Sequence, residues 1–537
     1  MSKLMRGTPK AALIALIALS TVVAVLLSGC GSSSDKTKSQ STATPAPAPS
    51  GSKPDVATKP TLTGSGYSNN DLSNTRSAGG KTTSANVTKL KEAWTHPLTA
   101  KSQYGSYASI PVITGGVAYS QDLESNVEAI DQRTGDVLWT KDYHSPDQGP
   151  NGIVVGGGRV FGATAESAFA LDQKTGKEIW SMKLIRNDEE GIDMTPGYHH
   201  GLVYVSTVPG NNTKFYNEGT KGILWALNAK TGKRVWSFDT APTKTWSAKN
   251  VKINLGGGLW HAPSFDAQGA MYFGVGNPGP WPGNDEYPWG KSRPGRNLYT
   301  NSVVKLDAKT GKLKWYYQLT PHDIYDWDLQ DPPILTKVKG KPAVIGAGKS
   351  GIVIALDRKT GKLLWKRPVG QHNGHDKDGL LAMKGRYGKL KEGTEIYPGV
   401  LGGVIAPMAS DGKLIYVPIV NNSATFSGSA SQGSGQSNTG EIVAIDVDTG
   451  KIEWDQVFQA PVFGATTVVN DVVFATTFDG QLLALSAKTG DTVWSDSLPA
   501  GSNTGVAVSG DTVIAAGGLA AAQGQAPAMV AYRLGGK

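Results

Sequence analysis

The chain has 537 residues, a net charge of +9 and a single cysteine, together with 68 glycines and 30 prolines. One cysteine excludes an internal disulfide, a zinc site built from several cysteines and a Cys-x-x-Cys-His haem attachment. The positive charge comes largely from lysines in turns such as Lys174-Thr175-Gly176-Lys177. Charges spread in this way are typical of a solvated surface, so we expect no nucleic-acid partner.

The first 30 residues have the pattern of an export signal. Lys3 and Arg6 precede an apolar stretch from Ala11 to Leu27, which ends in Leu27-Ser28-Gly29-Cys30. This ending resembles the lipobox of bacterial lipoproteins, and the resemblance implies that Cys30 is lipidated and becomes the mature N-terminus. An ordinary cleaved signal or a membrane anchor is the alternative. We therefore expect a lipid-anchored protein of the cell envelope, outside the cytoplasm, in the periplasm or on the cell surface.

Residues 31–60 have the composition of a tether. Ser, Thr, Pro, Ala and Lys dominate this stretch, which includes Ala46-Pro47-Ala48-Pro49. Such a composition predicts a disordered and fairly extended linker. The folded domain is therefore predicted to span residues 61–537.

One sequence motif occurs seven times along this domain. Each copy has a short apolar run ending in Asp, two variable residues, Thr-Gly, three further residues and Trp, as in Asp131-Gln132-Arg133-Thr134-Gly135. Asn228 replaces the Asp in the third copy, and Ser486 replaces it in the seventh. The copies end at Trp139, Trp180, Trp236, Trp315, Trp365, Trp454 and Trp494. A unit repeated about every 40–50 residues indicates a propeller or a solenoid.

Each copy predicts a β-hairpin. The Asp accepts local backbone hydrogen bonds, the Gly supplies a positive φ, and the Trp packs between neighbouring sheets with its N–H bonded to one partner. Trp94 ends a similar strand without a turn near the N-terminus, and Met529–Leu534 supplies a strand of the kind that precedes the turn. Together the two ends predict an eighth blade, which would close the ring and remove open strand edges. We therefore predict an all-β, eight-bladed propeller with tryptophan-docking repeats.

The repeat does not explain the segment from residue 256 to residue 351. This segment contains four unusual strings: Gly256-Gly257-Gly258-Leu259-Trp260, Gly274-Val275-Gly276-Asn277-Pro278-Gly279-Pro280-Trp281, Arg293-Pro294-Gly295-Arg296-Asn297-Leu298-Tyr299-Thr300 and Thr320-Pro321-His322-Asp323-Ile324-Tyr325-Asp326-Trp327-Asp328. In this order they resemble the quinoprotein alcohol dehydrogenase family, whose eight-bladed propellers hold pyrroloquinoline quinone (PQQ) and a divalent or lanthanide ion on the axis. The tryptophan repeat alone is also shared by the scaffold lipoprotein that helps to assemble outer-membrane proteins. The Gly-Asn-Pro and His-Asp-x-x-Asp strings therefore carry the more specific resemblance.

The resemblance implies a role for five of these residues. Asn277 matches the family's amide metal ligand, and Asp326 matches the aspartate that touches the metal and serves as catalytic base. Asp328 matches an extra carboxylate found in lanthanide-dependent members, although some calcium or magnesium members also show Asp-x-Asp. Trp260 matches the indole on which the quinone stacks, and Lys349 matches the cation near the reactive quinone carbonyl.

These residue types suit that chemistry. Hard cations bind oxygen ligands, and a bound metal polarises a carbonyl as a Lewis acid. A lysine can add positive charge where the reduced quinone becomes negative, while an aspartate can take the hydroxyl proton. Taken singly, Asn277 and Lys349 could be turn residues and Trp260 a core residue; their shared order favours a site. His322 and Asp323 are expected to shape the loop.

Other positions match less closely or depart from the family. Asn421 and Phe463 fall where the family places further cofactor contacts. Only Glu218, in a loop expanded from Val208 to Lys221, could replace the family's metal-binding glutamate. The adjacent cysteines that the family places over the cofactor are absent from Ser145-Pro146-Asp147-Gln148-Gly149-Pro150. An arginine expected beside that loop is also missing, near Asn151-Gly152.

The expected function is PQQ- and metal-dependent oxidation of an alcohol or a related hydroxyl compound. The metal would be calcium or a lanthanide, and electrons would pass to a separate cytochrome or quinone, because the chain has no haem motif. Two alternatives stay open: a non-enzymatic lipoprotein propeller that acts as a protein-binding scaffold in envelope assembly, and a propeller that binds PQQ or metal without turnover. The retained Asn277, Asp326 and Lys349 favour the enzyme, whereas the missing cysteines favour the alternatives.

Overall fold

The structure is a computed structural model that describes residues 66–67, 71–211, 220–246, 252–433, 439–519 and 524–536. The predicted signal peptide with Cys30, the predicted tether and Glu218 lie outside the described residues. Within these ranges the only α-helix is Asp378–Met383, and no helix has the length and apolar composition needed to cross a membrane. Short 3-10 turns occur at Val87–Lys89, Thr243–Thr245, Pro288–Gly290 and Tyr387–Lys389.

The described chain contains eight four-stranded antiparallel sheets. Each is given from its inner to its outer strand. Sheet 1 has Val112–Thr114, Val117–Gln121, Val127–Asp131 and Val137–Lys141; sheet 2 has Val154–Gly156, Arg159–Ala163, Ser167–Asp172 and Glu178–Lys183. Sheet 3 has Gly197–His199, Leu202–Ser206, Ile223–Asn228 and Arg234–Asp239; sheet 4 has Ser264–Phe265, Ala270–Gly274, Ser302–Asp307 and Leu313–Gln318.

The other four sheets repeat this order. Sheet 5 has Ile334–Val338, Lys341–Gly346, Ile352–Asp357 and Leu363–Pro368; sheet 6 has Ala409–Ser410, Leu414–Asn421, Thr439–Asp446 and Ile452–Phe458. Sheet 7 has Thr467–Val469, Val472–Thr476, Gln481–Ser486 and Thr492–Ser497; sheet 8 has Ala507–Ser509, Thr512–Gly517, Ala528–Leu534 and Leu90–Pro97. Smaller sheets pair Glu190–Gly191 with Val208–Pro209, Leu255–Gly256 with Pro278–Gly279, and Thr394–Ile396 with Ala424–Phe426 and Ser431–Gly433.

Apolar contacts between neighbouring sheets arrange the eight sheets in a ring. Continuous apolar third strands such as Ile352–Asp357 are buried, whereas outer strands such as Leu363–Pro368 are largely exposed. Buried clusters join each sheet to the next along the chain. A further cluster, which includes Trp94, Ile113 and Met529, joins sheet 8 to sheet 1 and closes the ring.

The two ends of the chain meet in sheet 8. Leu90–Pro97 pairs with Ala528–Leu534, which in turn pairs with Thr512–Gly517. The predicted β-propeller and the predicted union of the two ends in one sheet are therefore confirmed.

The tryptophans dock each sheet onto the next. The indole Nε1 of seven of them donates to a backbone carbonyl of the following sheet at 3.0–3.2 Å: Trp94, Trp139, Trp180, Trp236, Trp315, Trp365 and Trp454. The turn glycine of that following sheet lies against the indole. At Gly232, where φ is +69°, an added Cβ would come within 2.7 Å of the Trp180 ring. The glycine is therefore required both for the turn and for this contact.

An N-terminal segment, residues 66–67 and 71–81, lines the inner edges of the sheets. Its carbonyls accept backbone N–H groups from sheets 2, 4, 5, 6 and 7 in turn, at 2.7–3.0 Å; the donors are Val155, Phe265, Leu335, Ser410 and Val468. Arg76 from this segment is fully buried, and its guanidinium donates to the Thr466 carbonyl at 2.5 Å and to the Val506 carbonyl at 3.2 Å. The segment thus connects the inner strands of five sheets.

Candidate active site

The candidate residues lie on loops that emerge at one end of the ring. In a four-stranded antiparallel sheet, the connection from the second to the third strand and the connection from the outer strand to the next sheet lie at the same end. Asn277 and Lys349 follow the second strands of sheets 4 and 5, whereas Trp260, Asp326 and Asp328 precede the inner strands of those sheets. We call this end of the ring the site end.

Asp326, Lys349 and Asp328 form a buried charged triad at the site end. Lys349 Nζ lies 2.8 Å from Asp326 Oδ2 and 2.7 Å from Asp328 Oδ2. The three side chains are 9%, 11% and 1% exposed for Asp326, Lys349 and Asp328 respectively. Burial lowers the pKa of the Lys349 ammonium, but the two carboxylates outweigh burial and raise that pKa above its ordinary value. Lys349 is therefore a firmly held cation between two carboxylates.

The loop that carries the two aspartates is shaped by Asp323. Its carboxylate accepts the N–H groups of Tyr325 at 3.0 Å and Trp327 at 2.8 Å. His322 is fully buried and its Nδ1 bonds to the Gly295 carbonyl at 2.9 Å. Asp326 has a φ of +64°, a conformation that is uncommon for a residue with a Cβ and is often found at functional sites. His322 and Asp323 thus fold the loop, while Asp326 points to Lys349.

Asn277 and Trp260 lie against the same triad. The Asn277 N–H donates to Asp328 Oδ1 at 2.6 Å. A Cβ added at Gly276 would lie 3.1 Å from Asp328 Oδ1 and 3.4 Å from Trp260 Nε1, so this glycine lets the three elements approach one another. Burial and the charge of Arg76 lower the pKa of His261, beside Trp260, to about 3, and this histidine is therefore neutral. The structure brings together Trp260, Asn277, Asp326, Asp328 and Lys349.

Asn421 and Phe463 have other partners. Asn421 Nδ2 donates to Glu441 Oε1 at 2.7 Å, and its Oδ1 accepts the Gln371 N–H at 3.1 Å. The Phe463 ring lies 5.2 Å from the ring of Phe478. These contacts do not join either side chain to the charged triad, and Glu218 lies outside the described residues. A cofactor role for these three residues remains a prediction.

Sequence reasoning missed three polar residues at the site end. Asp147 and Asp193 are each 1% exposed, and burial together with the charge of Asp147 raises the pKa of Asp193, so the two carboxyl groups lie near each other. Burial and the charge of Asp193 raise the pKa of the Tyr104 phenol, while the charge of Lys349 lowers it, so Tyr104 lies near both groups. No motif marks these residues; the signal available was a single aspartate within the apolar run Gly191-Ile192-Asp193-Met194.

A ring of four-stranded sheets docked by tryptophans, with charged loops converging at one end, defines a β-propeller with a candidate site at that end. Residues 194–375 match the family described as "Glucose/ethanol/alcohol dehydrogenase, beta-propeller domain". Residues 46–210, 123–263 and 398–537 match the family described as "Outer membrane protein assembly factor BamB".

Individual relatives point to the same class. The chain is 31% identical over 478 residues to a quinohemoprotein alcohol dehydrogenase of Comamonas testosteroni, covering 76% of this chain and 65% of the relative. It is 29% identical over 476 residues to the quinoprotein alcohol dehydrogenase PedH of Pseudomonas putida, covering 76% and 77%. The crystal structure of the Comamonas testosteroni quinohemoprotein superimposes with a TM-score of 0.73 at 26% identity, covering 87% of this chain and 80% of that one. The chain belongs to the quinoprotein alcohol dehydrogenase-like family of PQQ-repeat β-propellers.

The donors at the site end fit a hard cation. Two carboxylates and the Asn277 amide supply oxygen atoms, the ligand type that calcium prefers. The Lys349 ammonium already lies between the two carboxylates, which shows that a positive charge is accommodated there. Among the described residues, no third His, Cys, Asp or Glu joins them to complete a metal cluster. A further ligand would have to come from elsewhere, and Glu218 is the predicted source.

Proposed function

We propose that the protein oxidises an alcohol or a related hydroxyl compound with PQQ and a bound calcium or lanthanide ion. The observation that carries this proposal is the buried triad of Asp326, Lys349 and Asp328, with Asn277 bonded to Asp328. The relatives named above, which are quinoprotein or quinohemoprotein alcohol dehydrogenases, support it. Because the chain spans only 65% of the length of the first of them, the activity of the whole relative is a proposal for this chain.

In such a reaction each of the candidate residues would have a separate role. PQQ, when bound, supplies the electron acceptor, and the metal supplies Lewis acidity. Asp326 accepts the hydroxyl proton of the substrate at its carboxylate, since it is the more exposed of the two carboxylates beside Lys349 and its loop is fixed by Asp323. Asp328 is locked in orientation by the Asn277 N–H. Lys349 keeps a positive charge where negative charge develops, and Trp260 offers a flat indole face for a planar ring.

The envelope setting is part of the same proposal. Cys30 would carry lipid, residues 31–60 would tether the propeller outside the cytoplasm, and a separate cytochrome or quinone would take the electrons. The support is the Leu-Ser-Gly-Cys sequence and the lack of a Cys-x-x-Cys-His motif. Replacing Cys30 by Ser should abolish acyl labelling and release the protein from membranes. Unchanged labelling and fractionation in this variant would remove the anchor from the proposal.

A dye-linked alcohol oxidation assay tests the enzymatic proposal. Purified protein is supplied with PQQ and either calcium or lanthanum, and Asp326→Asn is compared with Asp357→Asn. Asp357 is a repeat-turn aspartate whose Oδ1 accepts the Thr360 N–H at 2.7 Å, so it controls for the loss of a carboxylate elsewhere. We expect turnover in the wild type and in Asp357→Asn, and none in Asp326→Asn.

A scaffold for protein partners is the second candidate function. The match of residues 46–210, 123–263 and 398–537 to the assembly-factor family favours it. If wild-type protein neither binds PQQ with metal nor oxidises any alcohol, the scaffold function replaces the enzymatic one. Binding without turnover would instead support a propeller that holds the cofactor as a non-catalytic ligand.

A further inference from the structure

The end of the ring opposite the site end is built from short turns. The connection from the first to the second strand of a sheet and the connection from the third to the fourth lie there, because antiparallel strands alternate in direction. In sheets 2, 3 and 4 a backbone hydrogen bond of 2.9–3.1 Å joins the two turns, and its donors are the N–H groups of Gln173, Ala229 and Ala308. The two turns of a sheet therefore lie side by side, and we call this end of the ring the turn end.

Positive charge is concentrated at the turn end of four neighbouring sheets. With the strand residues that border them, the turns of sheets 2–5 contain thirteen Lys or Arg and five Asp or Glu, a net charge of +8. We call these turns the basic surface; they span residues 156–159, 172–178, 199–202, 228–234, 265–270, 307–313, 338–341 and 357–363.

The other half of the turn end has the opposite charge. The corresponding turns of sheets 6, 7, 8 and 1 contain four Lys or Arg and eight Asp, a net charge of −4. These turns span residues 410–414, 446–452, 469–472, 486–492, 509–512, 114–117 and 131–137. Residues 1–65 contain seven Lys or Arg and two Asp, so residues 66–537 have a net charge of only +4. The basic surface is thus more positive than this whole part of the chain.

Direct ion pairs do not neutralise the basic surface. Among the described residues, none of its Lys or Arg side chains forms an ion pair with a carboxylate. Its lysines are exposed, as at Lys309 and Lys359, whereas its turn aspartates are bonded inward. Asp307 Oδ1, for example, accepts the Thr310 N–H at 3.0 Å. The turn end of sheets 2–5 therefore presents mainly ammonium groups to its surroundings.

The first described residues lie on the same part of the ring. The Val155 N–H donates to the Gly66 carbonyl at 2.8 Å, and the Tyr67 hydroxyl donates to the Tyr198 carbonyl at 2.7 Å. Val155 and Tyr198 belong to the inner strands of sheets 2 and 3, and each lies two residues before a turn of the basic surface. The chain that carries the predicted tether, residues 31–60, is therefore joined to the ring beside this surface.

These observations favour a membrane surface as the partner. Exposed apolar side chains follow the basic turns directly: Ile179 is 42% exposed, Val235 is 50% exposed and Leu364 is 45% exposed. Binding to a membrane surface strengthens with apolar contact and with the attraction of Lys and Arg to anionic lipids. We propose that the basic surface docks onto an anionic phospholipid bilayer, so that the turn end rests on the membrane and the site end faces away from it.

The lipid contact does not depend on PQQ, on a metal or on Cys30. A lipid at Cys30 would add to it, because a tether holds the surface close to the bilayer at a high effective concentration. Only the identity of that bilayer, as the membrane that holds Cys30, rests on the proposed function.

Amine labelling of the full-length protein tests the orientation. The purified protein, as the cell processes it, is mixed with vesicles of phosphatidylcholine or of phosphatidylcholine with phosphatidylglycerol, and a water-soluble reagent modifies its lysines. Mass spectrometry should show slower modification of Lys309 and Lys359 with the phosphatidylglycerol vesicles only. Lysines in the connection from sheet 5 to sheet 6, residues 369–408, lie at the site end and should react equally with both. In 1 M salt, where the screening length is about 3 Å, the difference should vanish.

Two matched variants give the magnitude. The first combines Lys309→Gln, Lys312→Gln, Lys359→Gln and Lys362→Gln. The second removes four exposed lysines of the site end by combining Lys377→Gln, Lys384→Gln, Lys389→Gln and Lys391→Gln. A basic residue near an anionic leaflet strengthens binding about fivefold, or by about 1 kcal/mol. The first variant should therefore weaken docking by roughly several hundredfold, and its remaining Lys174 should react equally with both kinds of vesicle. The second variant should behave like the wild type.

Sedimentation separates this proposal from the proposed anchor. If wild-type protein does not sediment with phosphatidylcholine vesicles, the anchor fails, and sedimentation with phosphatidylglycerol vesicles then measures the basic surface alone. The first variant should again bind much more weakly than the second. Equal labelling of Lys309 and Lys359 with both kinds of vesicle overturns the docking proposal. Slower labelling at both ends of the ring, or equal losses in the two variants, would show adsorption without a preferred face and also overturns it.

Discussion

Replacement of Lys349 by methionine perturbs the charged triad most directly. Methionine keeps much of the length of the side chain but removes the ammonium, which lies 2.8 and 2.7 Å from carboxylates that are 9% and 1% exposed. At an effective dielectric constant of about 20, each contact at this distance has a Coulomb energy of about 6 kcal/mol. Desolvation offsets much of this energy, and removal of one partner from a buried ion pair costs about 3–5 kcal/mol.

The free energy of unfolding of Lys349→Met should therefore fall by about 3–5 kcal/mol in metal-free buffer. Calcium should restore much of this loss, because a bound cation would again neutralise Asp326 and Asp328; a ligand at 100 times its Kd contributes about 2.7 kcal/mol. Urea unfolding followed by tryptophan fluorescence, with and without calcium, measures both effects.

Lys314→Met is the matched control. Lys314 Nζ lies 3.5 Å from Asp307 Oδ2, but these side chains are 45% and 34% exposed. Removing this surface pair should cost about 0–1 kcal/mol, with no response to calcium. Equal stability of Lys349→Met and Lys314→Met, or equal stabilisation of the two variants by calcium, would contradict this prediction.

Three other changes have defined outcomes. Gly201→Ala should lower the free energy of unfolding by about 1 kcal/mol through backbone strain alone, because nothing lies within 4 Å of the added Cβ. Gly232→Ala should lower it by about 1–3 kcal/mol more, because its added Cβ meets the Trp180 ring. Thermal melts of the two variants measure this difference. Deletion of Ala528–Leu534 should prevent a cooperative melt, because this strand pairs on both sides within sheet 8; a truncated protein that melts like the full-length one would contradict ring closure. Asp323→Ala should lower the free energy of unfolding by about 1–3 kcal/mol, since two buried N–H groups lose their acceptor. The same variant should bind metal more weakly when binding is measured by calorimetry. Unchanged metal affinity would show that this loop does not shape the site.

Much of the fold could be predicted from the sequence because the repeat is local. The Asp-x-x-Thr-Gly turn is formed by adjacent residues: Asp357 accepts the Thr360 N–H, and Gly361 has a φ of +72°. The contact of each glycine with a tryptophan could not be predicted, because the tryptophan belongs to the preceding sheet. The bonds of residues 66 and 72–76 to the inner strands were missed for a similar reason, since their partners are as far away along the chain as Val468.

The candidate site could likewise be predicted only in part. The family-like order of the motifs predicted one shared site, and the structure does bring together its residues Trp260, Asn277, Asp326 and Lys349. The direct pairing of Lys349 with two carboxylates was not predicted, because no sequence pattern reports which charges meet when sheets 4 and 5 pack. The Asp147–Asp193 pair has no motif at all, since its two loops meet only in the closed ring.

Isothermal titration of the purified protein with PQQ in the presence of calcium or lanthanum tests the central claim most directly. A site built from Asp326, Asp328, Lys349, Asn277 and Trp260 should bind PQQ with metal more tightly than about 1 mM, a free energy beyond about −4 kcal/mol. Asp326→Asn should weaken this binding, whereas Asp357→Asn should not. Wild-type protein that shows no heat of binding for either PQQ or metal in this range would contradict the account.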